Sequence, residues 1–198
     1  GPEARADGHA WRARACAILT GIGTVIEDDP LLDLRLCADL GAAPRMPHLV
    51  IVDSKLETPP SAKLFQHSQH GALTPRQVWI YAAQDHPEKR AALEALGAHI
   101  TVLPNEQGKV DLSALMTDLA KREVNELHVE AGHKLNGSWL REGLVDELLL
   151  YLAPCLIGPG QGMAQLPTLE SLEAAIRLRW VDTTPFGDDL RLMARVLR

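Results

Sequence analysis

Four charged residues stand where this chain could do chemistry. Arg12 lies in an Ala- and Arg-rich stretch. Asp28 and Arg35 follow the apolar run of AILTGIGTVIEDDPLLDLR, and Glu130 ends the strand-like part of HVEAGHKLNGSWL. Two guanidiniums near one strand end can clamp a phosphate through bidentate hydrogen bonds. A carboxylate at a strand tip is exposed or paired, and there it meets the hydroxyl or amine of a ligand. Each residue also has a plainer reading. Asp28 and Asp29, early in a short helix, complement its positive end, and Arg12 and Arg35 can be solvated surface groups. Glu130 and His133 spell E-x-x-H, but that spacing spans a turn and no third ligand suggests itself, so no metal site is expected. His67 and His70, in a loop, are discounted in the same way.

Backbone groups can do chemistry as well. In both quoted stretches an apolar strand ends in a glycine-containing turn that starts a helix. Glycine lets the backbone approach a ligand closely, and a helix N-terminus offers unpaired N–H groups that suit phosphate. Two such turns in one small sheet can hold the two ends of a dinucleotide. The motif is not a Rossmann fingerprint, because no third glycine follows Gly21-x-Gly23 at the right spacing, and no Walker A pattern occurs. Ser54 and Lys55 follow another strand, HLVIVD. They suit the extra 2′-phosphate of NADP, although Lys55 equally suits an ordinary loop.

The elements that must position these groups read as alternating strands and helices. Helices are expected over residues 3–16, 87–97 and 135–143, with a helical turn over 24–29. A further helix presents Leu112, Leu115, Met116 and Leu119 on one face. Strands are expected over 17–20, 48–53, 77–83, 99–103, 126–130 and 147–152. The runs 177–183 and 190–197 flank a Pro185-Phe186-Gly187-Asp188 turn and predict a terminal hairpin. Alternation predicts an α/β domain with a mainly parallel sheet and helices on both faces, to which the hairpin adds antiparallel edge strands. One domain is expected over residues 1–198.

Bulk properties narrow the classes. A formal net charge of −6 over 198 residues argues against nucleic acid as a general partner. Cys16, Cys37 and Cys155 are odd in number and form no C-x-x-C pair, which argues against a disulfide framework and for a reducing compartment. No apolar run suggests a membrane span. Aromatic content of 4% leaves little for stacking a flavin.

The stretches ILTGIGTVIEDDPLLDLR, VDSKLETPP and HVEAGHKLNGSWLREGLVDELLLYLAPCLIG, in this order and spacing, resemble the reductase domain of the bifunctional riboflavin-biosynthesis deaminase/reductase. The resemblance implies a three-layer, dihydrofolate-reductase-like α/β fold, NADPH as hydride donor, and a phosphoribosylamino-pyrimidinedione as substrate, reduced from the ribosyl to the ribityl form. It places Thr24, Asp28 and Ser54 at the nucleotide. It makes Gly132, His133, Lys134, Leu135, Asn136, Gly137 and Ser138 the phosphate-cradling segment, and Arg12, Leu32, Arg35 and Glu130 the substrate contacts. Asp28, Glu130 and water remain open as proton donor. His133 and Lys134 depart from the Pro-Thr often seen in that turn; the lysine either adds charge near a pyrophosphate or points to water. The family also implies a homodimer, a cytoplasmic setting and an upstream zinc deaminase domain. Its reductase begins with a strand and loop ahead of GPEARAD, so Gly1-Pro2 is read as native and the chain as a C-terminal fragment, or the ordered part, of a longer one. Two other classes stay open: a related NADPH reductase of another pterin or aminopyrimidine, and a non-catalytic nucleotide-binding fragment.

Overall fold

Apolar runs without a polar face must lie inside a sheet covered on both sides. β1 (Ala17–Gly21) and β3 (Val78–Ala82) are buried throughout, and β2 (His48–Val52) is buried at its three central residues. In the computed structural model, which describes residues 1–34, 45–66 and 76–198, these strands form the middle of a five-stranded parallel sheet. Its order is β4–β3–β2–β1–β5, with β4 (Ala98–Val102) and β5 (Leu127–Val129) outermost. Ile18 of β1 stands opposite Leu49 on one side and His128 on the other. Ile18, Leu49, Ile51, Ile80, Leu56 and Leu64 form the core.

The helices follow local rules. Pro87 opens α3 (Pro87–Glu94), where its missing N–H costs nothing. Asp111 caps α4 (Leu112–Lys121) by accepting from the Ala114 N–H at 2.8 Å. Leu112, Leu115 and Leu119 of that helix are buried, as their spacing predicts.

Contacts group the chain into two compact units, residues 9–132 and residues 1–8 with 133–198. The first holds the parallel sheet. The second holds α5 (His133–Arg141) and an antiparallel sheet ordered β6–β8–β7. Its strands are β6 (Glu147–Leu152), β7 (Leu178–Phe186) and β8 (Asp189–Val196). α1 (Pro2–Arg14) begins in the second unit and ends in the first.

The predicted hairpin is present but turns later than expected. Phe186 pairs with Asp189 across two residues, and Gly187 has φ +61°, the positive φ that a tight primed turn demands. Its second strand pairs antiparallel with β6 as well as with β7, so the hairpin belongs to the three-stranded antiparallel sheet. Within this unit Arg191 donates to Asp7 at 3.0 Å and to Asp182 at 2.7 Å. The Tyr151 hydroxyl donates to Asp7 at 2.5 Å, and the Phe186 ring lies under the Arg191 guanidinium at 4.8 Å.

Candidate functional site

β1 to β4 are laid down in one direction, and β5 then returns to the far side of β1. The strand order therefore reverses beside β1. In open parallel sheets, ligands bind outside the carboxyl ends of the strands at such a reversal. The segments leaving those ends are residues 21–29 and 130–132, so both predicted glycine turns lie side by side at one edge of the sheet. Thr24 and Gly132 show how close they come. A Cβ built on Gly132 would lie 3.9 Å from Thr24 Oγ1, with no other described atom beyond its chain neighbours within 4 Å.

Beside this edge stands a group of three side chains. The Glu130 N–H continues the β5 ladder by donating to Leu19 O at 2.8 Å, which fixes the carboxylate at the strand tip. Arg12, on the last turn of α1, grips both oxygens of Glu130 with Nε and Nη2, while its Nη1 donates to the Asp33 carbonyl at 3.3 Å. His128 Nε2 lies 3.2 Å from Glu130 Oε1. Burial opposes the charge on Glu130. The hydrogen bonds from His128 and Arg12, and the charge of Arg12, overcome it and hold the carboxyl down at about 2. Two predicted substrate residues are thus brought together, with a correction to their roles. Arg12 is already engaged by Glu130, so an incoming anion must share or displace that carboxylate. Glu130 carries no proton near neutral pH, which makes it the least fitted of the three options for proton donor.

Other predicted residues are placed differently from the sequence reading. α2 runs Ile22–Asp28, so Asp28 is the last residue of its helix, not an early one. The dipole at that end opposes a carboxylate, and the helix-start explanation of Asp28 and Asp29 fails. The reason is local: Gly21 enters the helix in extended conformation (φ −100°, ψ 157°), and Gly23 lies within its first turn. The Asp28 side chain is exposed and makes no hydrogen bond among the described residues. Asp29 caps the helix with φ 41° and accepts from the Lys63 N–H at 2.8 Å.

The Leu32 side chain is 4% exposed and belongs to the core, so only its backbone is available to a ligand. Its carbonyl is held by Arg76 Nη1 at 2.8 Å, and Arg76 Nη2 also holds Leu31 O and Leu64 O. Ser54 stands at the carboxyl end of β2, with its carbonyl accepting from Ala83 N and Gln84 N, both at 3.0 Å. Arg35 lies outside the described residues, as do Cys37, His67 and His70.

In the second unit, α5 starts at His133 with no acidic residue in its first turn. Its own chain occupies part of its surface. Gln165 N donates to His133 O at 2.8 Å, His133 Nδ1 meets Gln161 Oε1 at 3.1 Å, and Asn136 Nδ2 donates to Met163 O at 3.0 Å. A Cβ on Gly137 would fall 2.1 Å from Gln165 O, so the glycine is explained by this backbone approach without any phosphate. The Ser138 hydroxyl donates to Lys134 O at 3.3 Å within the helix and accepts from Arg141 at 2.9 Å. Lys134 is exposed.

The sequence reading passed over His128 and Arg76. For His128 a signal existed: E-L-H-V-E alternates with period two, which puts Glu126, His128 and Glu130 on one face of the strand. For Arg76 there was none, because its three acceptors are backbone carbonyls from two other segments. Among the described residues no three His, Cys, Asp or Glu side chains cluster as a metal site, and no helix is long and apolar enough to cross a membrane.

Comparison with known proteins gives the geometry its relatives. The profile of the RibD C-terminal domain matches residues 1–192. The chain is 33% identical over 201 residues to the riboflavin biosynthesis protein RibD of Escherichia coli, covering 96% of this chain and 52% of that protein. It is 24% identical over 204 residues to the 5-amino-6-(5-phosphoribosylamino)uracil reductase of a Buchnera aphidicola strain, covering 96% of this chain and 91% of that one. The solved structure of Acinetobacter baumannii RibD superposes with a TM-score of 0.81 at 27% identity, over all of this chain and 51% of that one. The chain spans about half the length of the RibD relatives it matches, 52% and 50% for two of them.

Proposed function

We propose a function from the premise that the chain belongs to the RibD C-terminal domain family: it reduces the ribosyl side chain of 5-amino-6-(5-phosphoribosylamino)uracil to the ribityl form in riboflavin biosynthesis. The observation that carries this is the strand-order reversal beside β1. It gathers Thr24, Gly132 and the Arg12–Glu130 pair at one sheet edge.

The electron donor in this reading is a nicotinamide dinucleotide, specifically NADPH. The space over Gly132, where among the described residues the Thr24 hydroxyl lies nearest beyond its chain neighbours, fits a close-lying nucleotide. Thr24, Asp28, Ser54 and Gly132 are its proposed contacts in the first unit. For residues 133–138 in the second, support comes from the resemblance and from a helix start with no acidic residue in its first turn. When bound, the cofactor supplies hydride to C1′ of the opened sugar. The chain's own residues orient and neutralise. Arg12 and Arg35 hold the substrate phosphate. Glu130, ionised, accepts hydrogen bonds from a sugar hydroxyl or ring amine. The proton is left to Asp28 or water.

The full bifunctional activity, with an upstream deaminase, belongs to the same proposal, as does a cytoplasmic setting. Association with a second copy is proposed from the exposed apolar residues of β7, Trp180 at 59% and Val181 at 51%.

Loss of NADPH absorbance with the phosphorylated pyrimidine, and a ribityl product by mass spectrometry, test the reading. NADPH bound but never oxidised would favour the non-catalytic fragment. Equal turnover of a dephosphorylated pyrimidine or a pterin would favour the related reductase.

A further inference from the structure

The proposed function gives His128 no role of its own. It shares a face of β5 with Glu130, its Nε2 is 3.2 Å from Glu130 Oε1, and its side chain is 21% exposed. Glu130 is also held by Arg12 of α1, and Glu126, two residues before His128, shares its face of the strand. The Asp33 carbonyl accepts from Arg12 Nη1. Arg14 is taken by Glu126 at 3.1 Å. Glu130 is therefore the one carboxylate that pairs with His128 among the described residues, and it divides its oxygens between an imidazole and a guanidinium.

An anion that draws the Arg12 fork away leaves a part-buried carboxylate with a single partner. Such a charge is costly without compensation. A proton on the adjacent imidazole restores the pairing, because a nearby negative charge favours the charged form of histidine. We propose that His128 is a positioning residue of this site: when the substrate phosphate engages Arg12, Glu130 passes to His128, and binding takes up a proton there. The proton comes from solvent and returns when the ligand leaves. This rests on the reading that Arg12 meets the phosphate.

Binding then favours the protonated imidazole, so affinity falls as pH rises, by up to about tenfold per pH unit for one linked proton. The test is calorimetry of wild-type protein with 5-amino-6-(5-phosphoribosylamino)uracil, without NADPH. It is run between about pH 7 and 8 in two buffers of different protonation enthalpy. There the phosphate monoester, with a second pKa of about 6, is already a dianion and contributes little. A fraction of a proton should be taken up per ligand. His128→Gln keeps an N–H for Glu130 but cannot ionise, so it should bind the ligand, lose the uptake and flatten the pH profile of KM. No uptake by the wild type, or equal uptake by His128→Gln, overturns the proposal. Where His128→Gln does not fold, the wild-type uptake and its loss in Arg12→Gln decide, and uptake that persists in Arg12→Gln overturns it. Arg12→Gln also separates the two levels. Unchanged affinity in that variant sinks the phosphate role of Arg12 and this proposal with it. Weakened affinity, with no uptake in the wild type, sinks the role of His128 alone.

Discussion

Arg191 and Arg12 are part-buried guanidiniums of similar exposure, 15% and 19%, yet they stand in different places and share their carboxylates differently. Arg191, in the antiparallel sheet, pairs with Asp7 and Asp182 and lies on the Phe186 ring. Arg12, at the tip of the parallel sheet, shares the single carboxylate of Glu130 with an imidazole. The first cluster holds residues 1–8 to their sheet. The second stands at the strand tip where the proposed function needs an anion contact, and its carboxylate accepts from an imidazole as well as from a guanidinium. Burial and pairing are common to both; place in the fold separates a structural clamp from a candidate binding site.

The largest expected effect breaks the first cluster. Arg191→Met leaves Asp7, 13% exposed, without its cation and should cost about 4 kcal/mol of stability, read as a lower urea midpoint. The Tyr151 hydroxyl still donates to Asp7 and keeps the loss from being greater. A small loss would show that the cluster is better hydrated than its exposure suggests.

Glu130 makes the next comparison through pH. Its folded-state pKa is depressed from 4.5 to about 2. A depressed carboxyl contributes stability that is present above its unfolded value and lost as pH falls through the folded one. The wild type should therefore lose about 3 kcal/mol between pH 5 and pH 2 that Glu130→Gln does not lose. Parallel denaturation curves for the two proteins across that range would contradict the pairing with Arg12 and His128.

Arg12→Met turns from stability to function. A charge-assisted contact contributes about 1.5–3 kcal/mol, so KM for the phosphorylated substrate should rise roughly ten- to hundredfold, and KM for NADPH much less. Arg35→Ala should divide the two constants in the same sense. Equal effects on both ligands would remove the contrast between the two arginine clusters.

The sequence conveyed the elements well, and both glycine turns as a pair, because these depend on local periodicity. What it withheld was non-local. That β8 pairs with β6 joins segments far apart in the sequence, which no local periodicity encodes. Leu32 reads as a ligand contact by position, but its side chain fills the core. Gly21 and Gly23 read as a break, although extended backbone at one and helical backbone at the other suit them. A glycine inside a helix costs only about 1 kcal/mol, which contact with β1 can offset.

Gly137 and Gly132 sharpen this point. The resemblance gives both to phosphate, but of the two it is Gly137 that backbone presses among the described residues. Gly137→Ala must push Gln165 aside and should cost about 2 kcal/mol in thermal or urea melts. Gly132→Ala has space and should leave stability within about 0.5 kcal/mol while raising KM for NADPH. If Gly132→Ala left the cofactor constant unchanged, the nucleotide would not lie over that turn.

The smallest effect is expected beside the largest functional one. Arg14 and Glu126 join the same two elements as Arg12 and Glu130, α1 and the β5 segment, and their hydrogen bonds at 3.1 and 3.2 Å form the same bidentate fork. They differ in exposure, 58% and 41% against 19% and 27%. Water competes for the exposed pair and screens it, so Glu126→Gln should change stability by less than about 0.5 kcal/mol, and less still at high salt. Measured beside Glu130→Gln by urea unfolding at neutral pH, it isolates burial as the variable. A loss for Glu126→Gln as large as that for Glu130→Gln would mean that the fork itself, not the dry strand tip, gives the Arg12–Glu130 pair its strength.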